Sequence, residues 1–258
     1  MPNVERRMPK RIWLVTMGVT LGLLTAAVPA RAQGTWPGRA TISFNVGIQS
    51  SARTFSDQIT FPLYLEQATH DINYATESEL FFDGGAIVRL WGNLGAGVAV
   101  SRYTDDTVAT VEGRLPHPFH FNQPRTIEGE TPEIRRRETA THLQIAWMAA
   151  PTDRVRFIIS GGPTWIQAEQ GVVTEVRYTE AYPFDEATFR DVDRVLEEET
   201  GTGFNVGVDV IWAFSKNVGV GGLLRYTRAT ADLAPAEGRS IELELGGLQA
   251  GGGIRILF

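Results

Sequence analysis

The sequence contains no cysteine. This excludes a disulfide scaffold, a cysteine-ligated zinc and a lipid-bearing N-terminal cysteine, so neither a staple nor a covalent lipid holds the fold. A basic balance is missing too: 24 Lys and Arg stand against 30 Asp and Glu, a net charge of -6. A general nucleic-acid binder needs a basic face, and none is written here. After the N-terminal leader, no apolar run approaches the roughly 18 to 20 residues that a spanning helix requires. If the mature chain enters a membrane, it must do so as a closed β-barrel, the other structure that satisfies every backbone polar group in lipid.

Residues 1–32 read as a signal peptide. Arg6, Arg7, Lys10 and Arg11 form a basic front, Ile12 to Val28 an apolar run, and Ala30-Arg31-Ala32 an A-x-A cleavage site, with Gln33 as the first mature residue. An uncleaved anchor is the alternative, since the run is somewhat longer than a usual signal core. The leader holds five basic residues and one acid, so taking it from the 24 and 30 of the whole chain leaves a mature net of about -10. The exported part, residues 33–258, is distinctly acidic.

Strict alternation of apolar and polar residues is what the mature chain does have. Side chains of an extended strand alternate between two faces. In the closing stretch Leu248, Ala250, Gly252, Ile254, Ile256 and Phe258 therefore share one face, and Gln249, Gly251, Gly253 and Arg255 the other. One face suits lipid and the other a wet lumen. Ala40 to Gln49 repeats the pattern, with Ile42, Phe44, Val46 and Ile48 outward. So do Phe82 to Leu90 and Leu94 to Val100, His142 to Ala149 and Val155 to Ile159, and Phe204 to Phe214 and Val218 to Tyr226. Eight strands result, joined in pairs by the short turns at 91–93, 151–153 and 215–217. Long polar segments at 52–79, 112–138, 168–202 and 231–242 join them at the other end, as in transmembrane barrels. Trp147, Trp212, Phe214 and Phe258 fall toward the short turns, and Phe82, Trp165, Phe204 and Tyr226 toward the long loops, giving two aromatic girdles.

Two interruptions predict β-bulges: Pro163 after Gly161-Gly162, and Gly246-Gly247, across which Ile241, Leu243 and Leu245 fall out of phase with Leu248 onward. Phe55, Ile59, Phe61, Leu63 and Leu65 alternate around Pro62 and read as a hairpin-like arm, with a ten-stranded barrel using residues 55–66 left open. In 185–199, Phe189, Val192, Val195 and Leu196 form a helical stripe with Asp185 as a possible N-cap, and strand extensions fit nearly as well.

With these strands and the ending Gly253-Ile254-Arg255-Ile256-Leu257-Phe258, the mature chain resembles the bacterial outer-membrane β-barrel-domain family. Within it the resemblance is to the small eight-stranded barrels of the OmpA membrane-domain, OmpX and OmpW kind. It implies an all-β, eight-stranded antiparallel up-and-down transmembrane β-barrel with long outer loops, in the outer membrane of a double-membraned bacterium. It also implies outer-membrane lipids as surroundings, both termini on the periplasmic side, and a terminal aromatic, Phe258, that serves as the assembly signal read by the barrel assembly machinery. No periplasmic domain of the OmpA type is expected after the barrel, and the chain is expected to be a monomer.

Little in the sequence carries chemistry. Barrel lipid A deacylases use a His-x-Ser pair, and none of His70, His117, His120 and His142 has Ser two residues on. His142 faces the lumen as a hydrogen-bonding filler rather than a general base. His117-Pro118-Phe119-His120 could offer two metal ligands, but chance spacing is the better reading, and neither metal nor cofactor is expected. The glycine-rich stretch 219–222 sits inside a strand and is no phosphate loop. The lumen is the sharp feature: Arg89, Arg156, Arg225 and Arg255 point inward with Asp83 and Asp209, among glycines that leave room for long side chains. An eight-stranded barrel is just wide enough to be filled by side chains, so this charge network reads as a plug more than as a porin-like pore. Register from the 215–217 turn sets Asp209 diagonal to Arg225, and these two are expected to pair. The expectation is a non-enzymatic structural or surface-interaction protein, with a narrow channel for small solutes and a membrane-embedded lipid-modifying enzyme as the alternatives.

Overall fold

In the computed structural model, residues 38–50, 54–75, 78–236 and 239–258 are described; the leader and its cleavage site lie outside them. The described residues form twelve strands: β1 (Ala40–Ser50), β2 (Thr54–Leu63), β3 (Glu66–Ala75), β4 (Glu79–Trp91), β5 (Leu94–Thr107), β6 (Ala109–Leu115), β7 (Arg125–Glu130), β8 (Ile134–Ala149), β9 (Val155–Glu180), β10 (Ala187–Ala213), β11 (Val218–Ala236) and β12 (Arg239–Leu257). Eight of these close into an antiparallel barrel in the order β1-β12-β11-β10-β9-β8-β5-β4. They are the eight strands expected from the alternation. The seam runs from Thr41 opposite Leu257 to Ser50 opposite Leu248, and the Phe258 N–H donates to the Ala40 carbonyl at 2.9 Å.

Large apolar side chains cover the lower outside of this barrel, Phe44 being 56% exposed, while Arg255 inside it is 0% exposed. This inverts a water-soluble protein and suits a wall in hydrocarbon. Trp147, Trp212, Phe214 and Phe258 are exposed at the short-turn rim, as is Trp91, and Phe82, Trp165 and Phe204 at the other. On β9 the stretch from Val155 to Trp165 spans about 33 Å at roughly 3.3 Å per residue, or about 25 Å of height once tilted, matching the apolar band of such barrels.

The strands do not stop at the upper girdle. Ile166 to Glu180 adds about 45 Å of strand to β9, and β10 pairs with it as far as Ala187 opposite Glu180. Much of the expected loops 112–138, 168–202 and 231–242 is therefore strand, and 187–199 belongs to β10 rather than to a helix. A register shift between Phe189 and Asp191, with Arg190 as the extra residue of β10, displaces the period-two pattern by one residue and turns Phe189 and Val192 to the same core, which is how the misleading stripe begins. The second shift, at Asp193 and Arg194, has its extra residue, Thr174, on β9.

Neither predicted bulge is an inserted residue. The β9–β10 register runs unbroken through Phe204 opposite Pro163. The irregularity lies on the other side of β9, where the ladder to β8 passes from His142 opposite Thr164 to Ile145 opposite Gly161 with no partners recorded between. The Asn205 amide fills that gap, donating to the Gly162 carbonyl and to Thr164 Oγ1, each at 2.9 Å. Gly246 and Gly247 take positive φ of 87° and 147°, yet β11 and β12 stay in register across them. Ile241, Leu243 and Leu245 point inward with Gln249 and Arg255, so it is the lining that changes, from polar to apolar. Above the girdle water bathes the outside, and burial of apolar surface moves to the inside.

The other four strands form a sheet in the order β2-β3-β6-β7. Residues 55–66 thus contribute a hairpin of this sheet and not a ninth and tenth barrel strand. Its inner face, including Ile72, Val111 and Ile127, packs on Val173, Val176 and Val192 of the β9–β10 extension. Phe55 touches both this core and the one inside the barrel mouth and stacks on Tyr74 with centroids 4.3 Å apart. The Tyr74 hydroxyl accepts the Val173 N–H at 2.9 Å, and burial pushes its pKa up to about 12, so it stays a phenol. Asp57 and Arg239 pair at 2.9 Å beside it.

Candidate functional site

Two regions gather polar chemistry: the lumen at membrane level and the tip of the outer structure. In the lumen, Arg225 on β11 donates to Asp83 on β4 at 2.6 Å, and the Asn45 amide donates to the other oxygen of Asp83 at 2.7 Å. Arg255 on β12 grips Asp209 on β10 through Nε at 2.8 Å and Nη2 at 3.0 Å. Asp209 therefore pairs with Arg255 rather than with Arg225. The expected register holds, Asp209 lying opposite Leu223, but Asp83 reaches Arg225 across the lumen, a contact that adjacent-strand geometry does not reveal. Gly221 makes the second pair possible: a Cβ there would lie 2.8 Å from Arg255 Nε and 2.9 Å from Asp209 Oδ1. Arg156, buried, and Arg89, half-buried, sit nearer the short turns, opposite Ile211 and Gly95.

Amides and hydroxyls continue the network upward. Gln249 donates to Gln49 at 2.8 Å, and Gln49 donates to Glu138 at 3.3 Å. Glu138 is held by Arg136 through two bonds of 2.6 and 3.0 Å and by the Gly246 N–H at 3.0 Å. Glu138 and Arg136 were missed because their segment reads as a polar loop; their place beside an alternating strand was the available signal. Ser101 Oγ lies 3.1 Å from His142 Nε2, and His142 Nδ1 lies 2.9 Å from Thr164 Oγ1. That juxtaposition has a nucleophile and a base, but a threonine stands where a triad has its carboxylate, and both groups are buried. A void of about 20 Å³ bounded by Asn45, Asp209 and Arg225 has room for about one water.

At the far end three connections meet: the β2–β3 turn, the β6–β7 loop and the β9–β10 turn. All four non-glycine residues with positive φ among the described residues lie in them, Tyr64, Leu65, Asn122 and Phe184. Arg125 ties two of the connections together, donating to the Pro116 carbonyl at 2.8 Å and the Phe184 carbonyl at 3.1 Å and pairing with Glu180 at 2.6 Å. Tyr64 brings in the third by donating to Glu180 at 2.6 Å. His117 Nδ1 accepts the backbone N–H groups of Phe119 and His120 at 3.1 and 3.2 Å, so the proton of the neutral ring sits on Nε2, 3.6 Å from Asp185. A ring bonded this way offers no lone pair to a metal. Among the described residues no group of three ligating side chains could hold one.

No protein-family model and no curated protein sequence matches the chain. Solved structures do match. The outer membrane protease OmpT from Escherichia coli aligns over 88% of this chain and 99% of its own, at 8% identity and a TM-score of 0.51. The chain has the fold of the outer-membrane β-barrels. Ail, the attachment invasion locus protein of Yersinia pestis, aligns over 84% of this chain and 99% of its own at 10% identity, with TM-scores of 0.34 in complex with the heparin analogue sucrose octasulfate and 0.31 without it. The apolar belt on the outside of the barrel is the surface that a barrel of this fold turns to lipid.

Proposed function

We propose that this barrel spans the outer membrane as a non-conducting, non-enzymatic support that holds a rigid β-structure at the cell surface for interaction. One observation carries the reading: the lumen is packed. Two arginine–aspartate pairs and a ladder of amides fill it at membrane level, and the apolar cluster of Leu233, Leu243 and Leu245 closes it above. Solutes would have to displace both layers. The strands above the girdle support the same reading, because extended sheet with its own core is a costly way to build loops whose only task is to connect strands.

Single-channel recording on the refolded protein in a planar bilayer tests this. A silent bilayer is expected. Stable ohmic steps from the wild-type protein would refute the plug and favour the narrow-channel alternative. A gel-mobility difference between boiled and unboiled samples in SDS, run on the same preparation, ensures that the barrel measured is folded.

A further inference from the structure

The outer tip combines a concave polar surface with exposed rings. A cleft of about 490 Å³ lies between the β6–β7 loop and the β9–β10 turn, with His120, Gln123, Thr126, Asp185 and Glu186 among its lining. That size falls in the range of small-ligand sites. From two of its lining residues, His120 and His117, a string of ring contacts leads away across the tip: His120 to His117 at 4.6 Å, His117 to Phe119 at 6.1 Å, Phe119 to Phe184 at 5.7 Å and Phe184 to Tyr182 at 6.2 Å between centroids. Two of these rings are open to solvent, Phe119 at 66% and Tyr182 at 82%, and Phe121, two residues from Phe119, is 70% exposed. A ring string left this bare on a scaffold held by Arg125 and Glu180 is apolar surface awaiting a partner.

The chemistry of the cleft selects among partners. Its floor cation, Arg125, is already neutralised by Glu180, and the open charges left are the carboxylates of Asp185 and Glu186. An anionic ligand, whether sulfated, phosphorylated or sialylated, would meet repulsion. A lipid surface is disfavoured as well, since seating the rings in a bilayer would draw both carboxylates, and Glu66 on the neighbouring turn, out of water. A ligand that suits the site has polarised C–H faces for the rings and many neutral hydroxyls for the carboxylates, the Gln123 amide and the Thr126 hydroxyl.

We propose that the tip binds an uncharged oligosaccharide, its sugar rings stacked along Phe119 and Tyr182 and its hydroxyls donating to Asp185 and Glu186. This rests on reading the outer structure as an interaction surface and names the partner of that surface. Asp185 lines the cleft and stays open to solvent, at 72% exposure, with its nearer carboxylate oxygen 3.6 Å from His117 Nε2.

The test is a glycan array of neutral and anionic structures probed with the refolded barrel in a detergent that carries no sugar, followed by titration of the best neutral binder. Retention on neutral glycans is expected, with Tyr182→Ala and Asp185→Asn each weakening binding at least tenfold while heat-modifiability stays at the wild-type midpoint. Retention only on anionic glycans, no retention on any neutral glycan, unchanged affinity in both variants, or capture by zwitterionic vesicles in preference to sugars would each overturn the proposal. The conductance measurement keeps the two readings apart. A silent barrel that retains no neutral glycan sinks the sugar site alone, whereas a conducting barrel sinks the plugged support whatever its tip binds.

Discussion

Replacing Asp83 by asparagine removes a charge and almost no volume, which makes it a sharp probe of the lumen. Both side chains of the Asp83–Arg225 pair are nearly inaccessible, at 0% and 4% exposure, and their polar atoms are 2.6 Å apart. Two unit charges about 4 Å apart attract by about 4 kcal/mol at an effective dielectric of 20. Losing one partner of a buried pair costs roughly 3 to 5 kcal/mol, because the survivor is left desolvated and unpaired. Asp83→Asn should therefore destabilise the barrel by about 3 kcal/mol, the Asn45 and Gln249 contacts softening the loss. Removing both charges should cost much less than the two single losses together, since no unpaired ion remains. A double-mutant cycle of Asp83→Asn and Arg225→Met, read by urea unfolding in lipid vesicles, should yield a coupling of roughly 2 to 3 kcal/mol. Additivity within about 0.5 kcal/mol would refute the pair. So would a stronger coupling of Arg225 to Asp209, which the structure joins to Arg255 instead.

Acid should loosen the outer sheet through His70. Its ring is buried with no hydrogen-bond partner among the described residues, wedged against Phe61 and Tyr178, and burial lowers its pKa below the ordinary value of 6.5. The unfolded chain then takes a proton before the folded one does, so this contribution to stability is whole above pH 6.5 and lost as pH falls below it. Protease nicking of β2–β3 should rise between pH 7.5 and 5, and His70→Phe should flatten the rise; an identical slope in the variant would exclude His70 as its source. Asp57, whose carboxyl is raised by burial despite Arg239, has the opposite sign, which is why the difference between wild type and variant is the quantity to read. On the lipid face, Val208→Arg should cost about 2 to 4 kcal/mol in the same unfolding assay, with Val208→Leu near neutral as its control. Gly207→Ser would make a poor lumen-side control, because a Cβ there would lie 3.0 Å from the Leu224 carbonyl oxygen. Deleting Phe258 removes the carbonyl and N–H that join the chain's end to Arg39 and Ala40 at the seam, together with the assembly signal expected of a terminal aromatic. The shortened chain should be exported yet poorly surface-exposed, and normal labelling of intact cells would contradict this.

Alternation by itself determined the eight barrel strands, their short turns, the two girdles and the inward direction of Asp83, Asp209, Arg225 and Arg255. A period of two read against a lipid exterior leaves no other arrangement for Phe44, Val46 and Ile48 beside Asn45 and Gln49. The same rule failed above the girdle, where the exterior is water. There Leu243 and Leu245 turn inward without any break in register, and a reader who assumes lipid outside must invent a bulge at Gly246-Gly247. Only the tertiary structure decided which charges meet, because Asp83 and Arg225 lie on strands that are not neighbours and close on each other across the lumen. It alone also assembled the tip: Tyr64, Arg125 and Glu180 are far apart in sequence, and the register of long hairpins brings them together. Local pattern fixes the face on which a side chain lies, whereas contact across a cavity depends on the closure of the whole sheet.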